Sequence, residues 1–303
     1  MLEECDTLLR VYSLKTHQLI NILIEFIKIC KADLMIYGGA QSGIWGKVIL
    51  KIVPNLKIIG IEANPNVYVH YFPKLSQIFL AYINAALTNQ TGLATLNIPT
   101  ELQNTSSDIL TVLDKRIFAR YHHDAKKSRE GWRTDASLFI DMSGEAKSML
   151  VPTVRVSDLL CKAERVLLFL DIQGADFSVL TELDSKSIAK VCLIYVEFDR
   201  VNESFDRRSA YDSFMDQLDG WGFKYYGNDE IENSQAYNML FVRKEFVDLL
   251  DSSNFPDTSF KYTFKDIFAQ ESISSRLRLA RVPGHTAIAR IISLVGIDVH
   301  RSR

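Results

Sequence analysis

From Asp33 onward the chain repeats one pattern: a short apolar run ends at a glycine or polar residue, and a stretch with helical spacing follows. That alternation is the signature of strand–helix–strand units, whose consecutive strands lie parallel in one sheet with helices on its faces. Leu34–Tyr37 reads as the first strand and runs into Gly38-Gly39-Ala40-Gln41-Ser42-Gly43. Apolar helical spacing then covers Ile44–Val53 until Pro54, which cannot continue a helix. Lys57–Ile61 reads as a second strand ending at Glu62, Asn66–Leu75 as a helix, and Gln77–Ile83 as a third strand ending at Asn84. Val166–Asp171, Val191–Phe198, Gly222–Tyr226 and Tyr237–Val242 bring the expected sheet to seven strands, the last pair antiparallel, with helices over 175–183 and 211–218.

Two stretches interrupt the pattern. After Thr91-Gly92, Leu93–Ile98 alternates as a strand or half-hairpin appended to the sheet, and Pro99–Pro152 then loses periodicity and reads as a long loop. The ends differ again in character. Leu19–Cys30 is apolar at Ile20, Leu23, Ile24, Ile27 and Cys30, which makes a core-facing helix in an N-terminal cap over 1–31. A main domain is expected over 32–245. Beyond it, 246–303 reads as a helical extension, with an aromatic-rich stretch over Phe260–Phe268 and a short amphipathic helix over Ala287–Val295 that could pack on the domain or make a homodimer.

Composition limits the classes of function. With 303 residues, 47% hydrophobic and 24% charged, the chain is an ordinary globular protein, and a net charge of -2 gives no chain-wide basic field for a nucleic-acid backbone. Cys5, Cys30, Cys161 and Cys192 are far apart and match no metal-site spacing, which fits a reducing compartment. The acidic start, Met1-Leu2-Glu3-Glu4, is not a secretory leader, so a cytoplasmic location is expected. Leu19–Cys30, broken by Glu25 and Lys28, is shorter than the roughly 20 residues that span a bilayer.

The turn between the first strand and helix has glycines at 38, 39 and 43, where a backbone can approach a ligand and a helix N-terminus offers N–H donors. An ordinary strand-to-helix turn is the plain alternative. Glu62 lies about twenty residues on, at the end of the second strand, where a carboxylate can accept both hydroxyl hydrogens of a ribose. Otherwise it is a solvated residue before the Asn64-Pro65 turn. Asp171 and Glu197 end two further strands, at the sheet edge where ligands bind in such folds, and either could act as a base. Asp171 could equally cap the helix after Gly174. His122-His123 lies in the long loop with Arg116, Arg120, Lys126, Lys127, Arg129 and Arg133, where His122 is a candidate base and the pair could equally be solvated.

Five segments, in this order, resemble the FkbM-like family of S-adenosylmethionine-dependent methyltransferases. Tyr37–Gly43 is similar to the family's D-x-G-A-N-x-G loop, and Ile61-Glu62-Ala63-Asn64-Pro65 to its E-P-N-P strand end. Asn84-Ala85-Ala86-Leu87-Thr88-Asn89 with Gly92 resembles N-x-A-L-S-D-x-x-G. Val154–Leu160 resembles the T-L-D-D-L box, and Leu168–Asp176 the K-I-D-V-E-G-A-E box. The likeness spans about Asp33 to Val242.

The resemblance implies a class I, Rossmann-like methyltransferase fold and methyl transfer from S-adenosyl-L-methionine to a hydroxyl on a sugar, glycolipid or small natural product. It also implies that Tyr37, Gly38, Gly39, Ala40 and Gly43 form the methionine loop, that Glu62 holds the ribose, and that Asn84 and Ala85 border the adenine. Three positions depart from the family pattern: Tyr37 stands where it has an acid, Phe169 where it has lysine, and Gln173 where it has glutamate. These departures motivate a second reading, a degenerate methyltransferase that binds a metabolite or partner without turnover. A nicotinamide-dependent oxidoreductase would share the loop and Glu62, but normally carries a cleaner glycine fingerprint and a Tyr/Lys or His catalytic pair.

Overall fold

Strands β1 (Leu34–Gly38) and β7 (Val166–Leu170) are buried along their whole length, which is why they read as unbroken apolar runs. The computed structural model describes residues 14–99, 146–160, 162–172, 175–199, 205–229 and 236–251. Its first half runs α1 (Leu14–Cys30), β1 (Leu34–Gly38), α2 (Ile44–Ile52), β2 (Lys57–Glu62), α3 (Pro65–Leu75), β3 (Ala81–Asn84), β4 (Ala86–Leu87) and β5 (Gly92–Pro99). Its second half runs β6 (Ala146–Val154), α4 (Val156–Leu159), β7 (Val166–Leu170), α5 (Asp176–Thr181), α6 (Ser185–Ile188), β8 (Val191–Asp199), α7 (Phe205–Gly220), β9 (Phe223–Asn228), β10 (Ala236–Arg243) and α8 (Lys244–Asp251).

The central seven-stranded sheet has the order β3-β2-β1-β7-β8-β10-β9. Neighbours from β3 through β8 are parallel, while β10 runs antiparallel to both β8 and β9. The chain starts mid-sheet at β1, moves out to β3, and returns to β7 beside β1 before moving to the other edge. This is the class I methyltransferase arrangement. The reversal between β1 and β7 is a topological switch point, and open α/β sheets bind ligands in the crevice at the carboxyl ends of the strands there.

Alternate strand residues enter two cores. Met35, Tyr37, Leu167, Phe169 and Tyr195 pack with α1, α2, α3 and α8 on one face. Leu34, Ile36, Leu168, Leu170 and Ile194 pack with α4, α5, α6 and α7 on the other. Helices therefore cover both faces, as the period-two burial of the strands requires. Cys30 and Cys192 are both buried as free thiols in the first core.

Three expectations change. Leu93–Ile98 is not appended to the main sheet: it lies in β5, which pairs with β6 in a separate three-stranded sheet of order β4-β6-β5. The loop expected over 99–152 does not hold at its ends, because Ala146–Pro152 belongs to β6 and Pro99 closes β5. Pro152 is tolerated inside β6 because β4 reaches only Thr153 and Val154, so the residue without an N–H sits where β6 has a single neighbour. Finally, α8 starts at Lys244, so the expected boundary at 245 falls inside a helix. Residues 100–145 and 252–303, with the expected homodimer segment, lie outside the described residues. No helix among the described residues is long and apolar enough to cross a membrane.

Candidate functional site

The turn after β1 is built from left-handed residues: Gly39 and Gly43 have φ 67°, and Gln41, although not glycine, has φ 40°. Ala40 N–H donates to the Ile61 carbonyl at 3.0 Å, which ties the turn to β2, and Gly43 N–H donates to the Ala40 carbonyl at 2.6 Å. The glycines face protein rather than open space. A Cβ on Gly39 would overlap the carbonyl oxygen of Asp171, and Asp171 N–H donates to the Gly38 carbonyl at 3.2 Å. A Cβ on Gly43 would lie 2.5 Å from Leu75 and 3.0 Å from Phe79. What glycine permits here is the close approach of the β1 and β7 exits and of α3.

Glu62, the last residue of β2, is buried, with 6% of its surface exposed. Its Oε1 accepts from Asn64 N–H at 2.8 Å and its Oε2 from Gln41 N–H at 3.0 Å. The carboxylate is therefore no solvated surface group; it clamps the glycine turn to the exit of β2. An ionised carboxylate offers about four acceptor directions, so holding these amides and accepting ribose hydroxyls are compatible by valence. Asn84 pairs with Glu62 in register, and its Nδ2 donates to the carbonyls of Glu62 at 2.8 Å and Ala63 at 3.2 Å. Ala85 N–H donates to the Glu62 carbonyl at 3.2 Å. The structure thus brings Gly38, Gly39, Gly43, Glu62 and Asn84 to one edge. The side chains of Ala40 and Ala85 are buried in the two cores, and their amide N–H groups go to the Ile61 and Glu62 carbonyls.

Asp171 follows β7 directly, and Glu197 follows Val196, the residue paired with Leu170 across β7 and β8. Both acids are half-buried and stand next to one another at the same strand edge. Asp171 does not cap the following helix: α5 begins at Asp176 with Ala175 in the capping position. Asp176, nearly fully buried, accepts from Ile172 N–H at 3.3 Å and so holds the β7 exit. The sequence placed Asp176 in a motif without this role, and only the fold shows which amide it faces. His122, Gln173 and Gly174 lie outside the described residues. Among the described residues no cluster of histidine, cysteine, aspartate and glutamate could hold a metal ion.

Tyr37 and Phe169, two of the three departures, are direct neighbours in the β1–β7 register. Their ring centroids lie 4.9 Å apart, edge to face, and Phe169 stacks on Tyr195 at 4.2 Å. The Tyr37 ring therefore belongs to the core. An acid and a lysine at these two positions would lie side by side, where this chain has an aromatic pair. Buried ion pairs are often replaced by well-packed apolar groups without loss of stability.

A family model, the Methyltransferase FkbM domain, matches residues 38–225. No curated protein matches the chain. Among solved structures, the precorrin-6y C5,15-methyltransferase from Geobacter metallireducens is 10% identical, with 74% of this chain and 86% of that chain covered and a TM-score of 0.34. The methyltransferase domain of bacterial CtHen1 is 10% identical over 75% of this chain and 98% of that chain, with a TM-score of 0.36. TYW2 of P. horikoshii, in complex with MeSAdo, is 11% identical over 73% of this chain and 62% of that chain, with a TM-score of 0.31.

Proposed function

The chain belongs to the FkbM methyltransferase family, and from that premise we propose that it transfers a methyl group from S-adenosyl-L-methionine to a hydroxyl on a sugar, glycolipid or small natural product. One observation carries the reading: Glu62, at the end of β2, is hydrogen-bonded into the glycine turn at the switch point, with Asp171 at the adjoining β7 exit. The donor set suits the cofactor. Glu62 can accept ribose hydroxyls, Asn84 lies beside it where the adenine would extend, and α2 starts from Gly43 without a side-chain cap, presenting its N-terminus toward a carboxylate.

When bound, that cofactor supplies a methyl group activated by a positively charged sulfur and leaves as the neutral thioether. The remaining work is positioning, and an acceptor hydroxyl must lose its proton as its oxygen takes the methyl. Asp171 and Glu197 are the carboxylates at this edge suited to accept that proton. Both follow directly on the paired Leu170 and Val196, and a carboxylate at this edge supports a hydroxyl acceptor.

Calorimetric titration with S-adenosylmethionine and S-adenosylhomocysteine tests the reading. The wild-type chain should bind both in the micromolar range. Glu62→Ala should weaken binding by about 1–3 kcal/mol, the loss expected for a hydrogen bond to a charged group. Glu62→Gln, which keeps one acceptor oxygen, should fall between them. A folded wild-type chain that binds neither ligand would contradict the proposal and favour a protein of this fold without turnover.

A further inference from the structure

We propose that Tyr82 is a positioning residue for the methyl-donor site, its hydroxyl fixing the left-handed Gln41 peptide that joins the glycine turn to Glu62. The inference rests on the cofactor reading above. Gln41 is gripped from both sides: its N–H donates to Glu62 Oε2 at 3.0 Å, and its carbonyl accepts from the Tyr82 hydroxyl at 2.9 Å. At φ 40° it holds a conformation that residues with a side chain rarely adopt, and such conformations persist where surrounding contacts impose them. Tyr82 and Glu62 both hold it there.

The arrangement is built into the sheet. Tyr82 lies on β3, the edge strand, while Gln41 follows β1, with β2 in between. In register Tyr82 faces Gly60 of β2. A Cβ on Gly60 would lie 2.9 Å from Tyr82 Cδ2 and 2.9 Å from Phe79 Cδ2, so glycine at 60 gives the ring the room to lie across β2 and reach the turn. The ring is pinned there by stacking on Tyr68, centroid to centroid 5.0 Å and 22° between planes. Burial, reinforced by the Glu62 charge, pushes the Tyr82 hydroxyl above the ordinary phenol range, so it stays a donor through any working pH.

Binding of S-adenosylhomocysteine to the full chain, with thermal unfolding of each variant alongside, tests the assignment. Tyr82→Phe keeps the ring and its stacking and removes only the hydroxyl. It should raise Kd about tenfold, the effect of one lost hydrogen bond, and in turnover should raise the donor's KM with little change in kcat at saturation. Gly60→Ala, which displaces the ring, should weaken binding at least as much. Adding Tyr82→Phe to Gly60→Ala should then cost nothing further, because the contact is already gone. A Tyr82→Phe chain that binds as tightly as wild type, or penalties from the two variants that simply add, overturns the assignment. Absence of saturable binding by wild type itself overturns the cofactor reading, and the role of Tyr82 with it.

Discussion

Gly39→Ala should lose about 3 kcal/mol of folding stability or more, a large effect for the addition of one methyl group. The added methyl would overlap the backbone oxygen of Asp171, and no side-chain rotation can relieve a clash with backbone. Residue 39 also sits at φ 67°, where a left-handed L-residue costs about 1–2 kcal/mol. Overpacking adds about 1–3 kcal/mol, since relief requires the β1 and β7 exits to separate. Against a total of about 5–15 kcal/mol this is a large share. Urea unfolding gives the check: with a slope of about 1–3 kcal/mol per molar, the midpoint should fall by about 1 M or more. An unchanged midpoint would mean that the two strand ends are not in backbone contact.

Tyr37→Asp is the second. It restores the acid of the family pattern, yet it places a carboxylate in a core position 4% exposed beside Phe169. An uncompensated buried charge typically costs about 3–5 kcal/mol, and about 0.5–1.5 kcal/mol of aromatic contact is lost as well. The pH dependence has a definite sign. Burial raises the folded-state pKa of the new acid above its unfolded value of about 3.9, so the deficit is full at neutral pH. It should shrink as pH falls through the raised folded pKa toward the unfolded one. Phe169→Lys in the same chain should recover much of the loss at neutral pH, because the two positions are paired across β1 and β7. Denaturation of the two single variants and the double variant measures this coupling. Losses that merely add would show that the two positions are not energetically coupled.

The main sheet was legible from the sequence because its strands are short, apolar and separated by turn residues, although the third strand, expected over Gln77–Ile83, begins only at Ala81. Strand β6 was not, because Ser148, Leu150 and Pro152 occupy an exposed face and break the alternation of apolar and polar residues. Its partner β5 defines it, and pairing between segments some fifty residues apart leaves no local signal. The site was legible in its residue types and only partly in their roles. Gly39 and Glu62 stood out by spacing, but spacing does not say that Gly39 makes room for Asp171 or that Glu62 holds the amide of Gln41. Tyr82 carried no signal at all. Its role depends on a register that sets it opposite Gly60, and an aromatic residue in a strand ordinarily belongs to the core.

The central claim is that the methyl donor binds where the β1, β2 and β3 ends meet, and amide hydrogen exchange on the full chain with and without S-adenosylhomocysteine tests it most directly. Protection should appear in peptides covering 38–43, 61–66 and 84–87, and should weaken in all three in Glu62→Ala. Protection confined to other segments, or none at saturating ligand, would contradict the account.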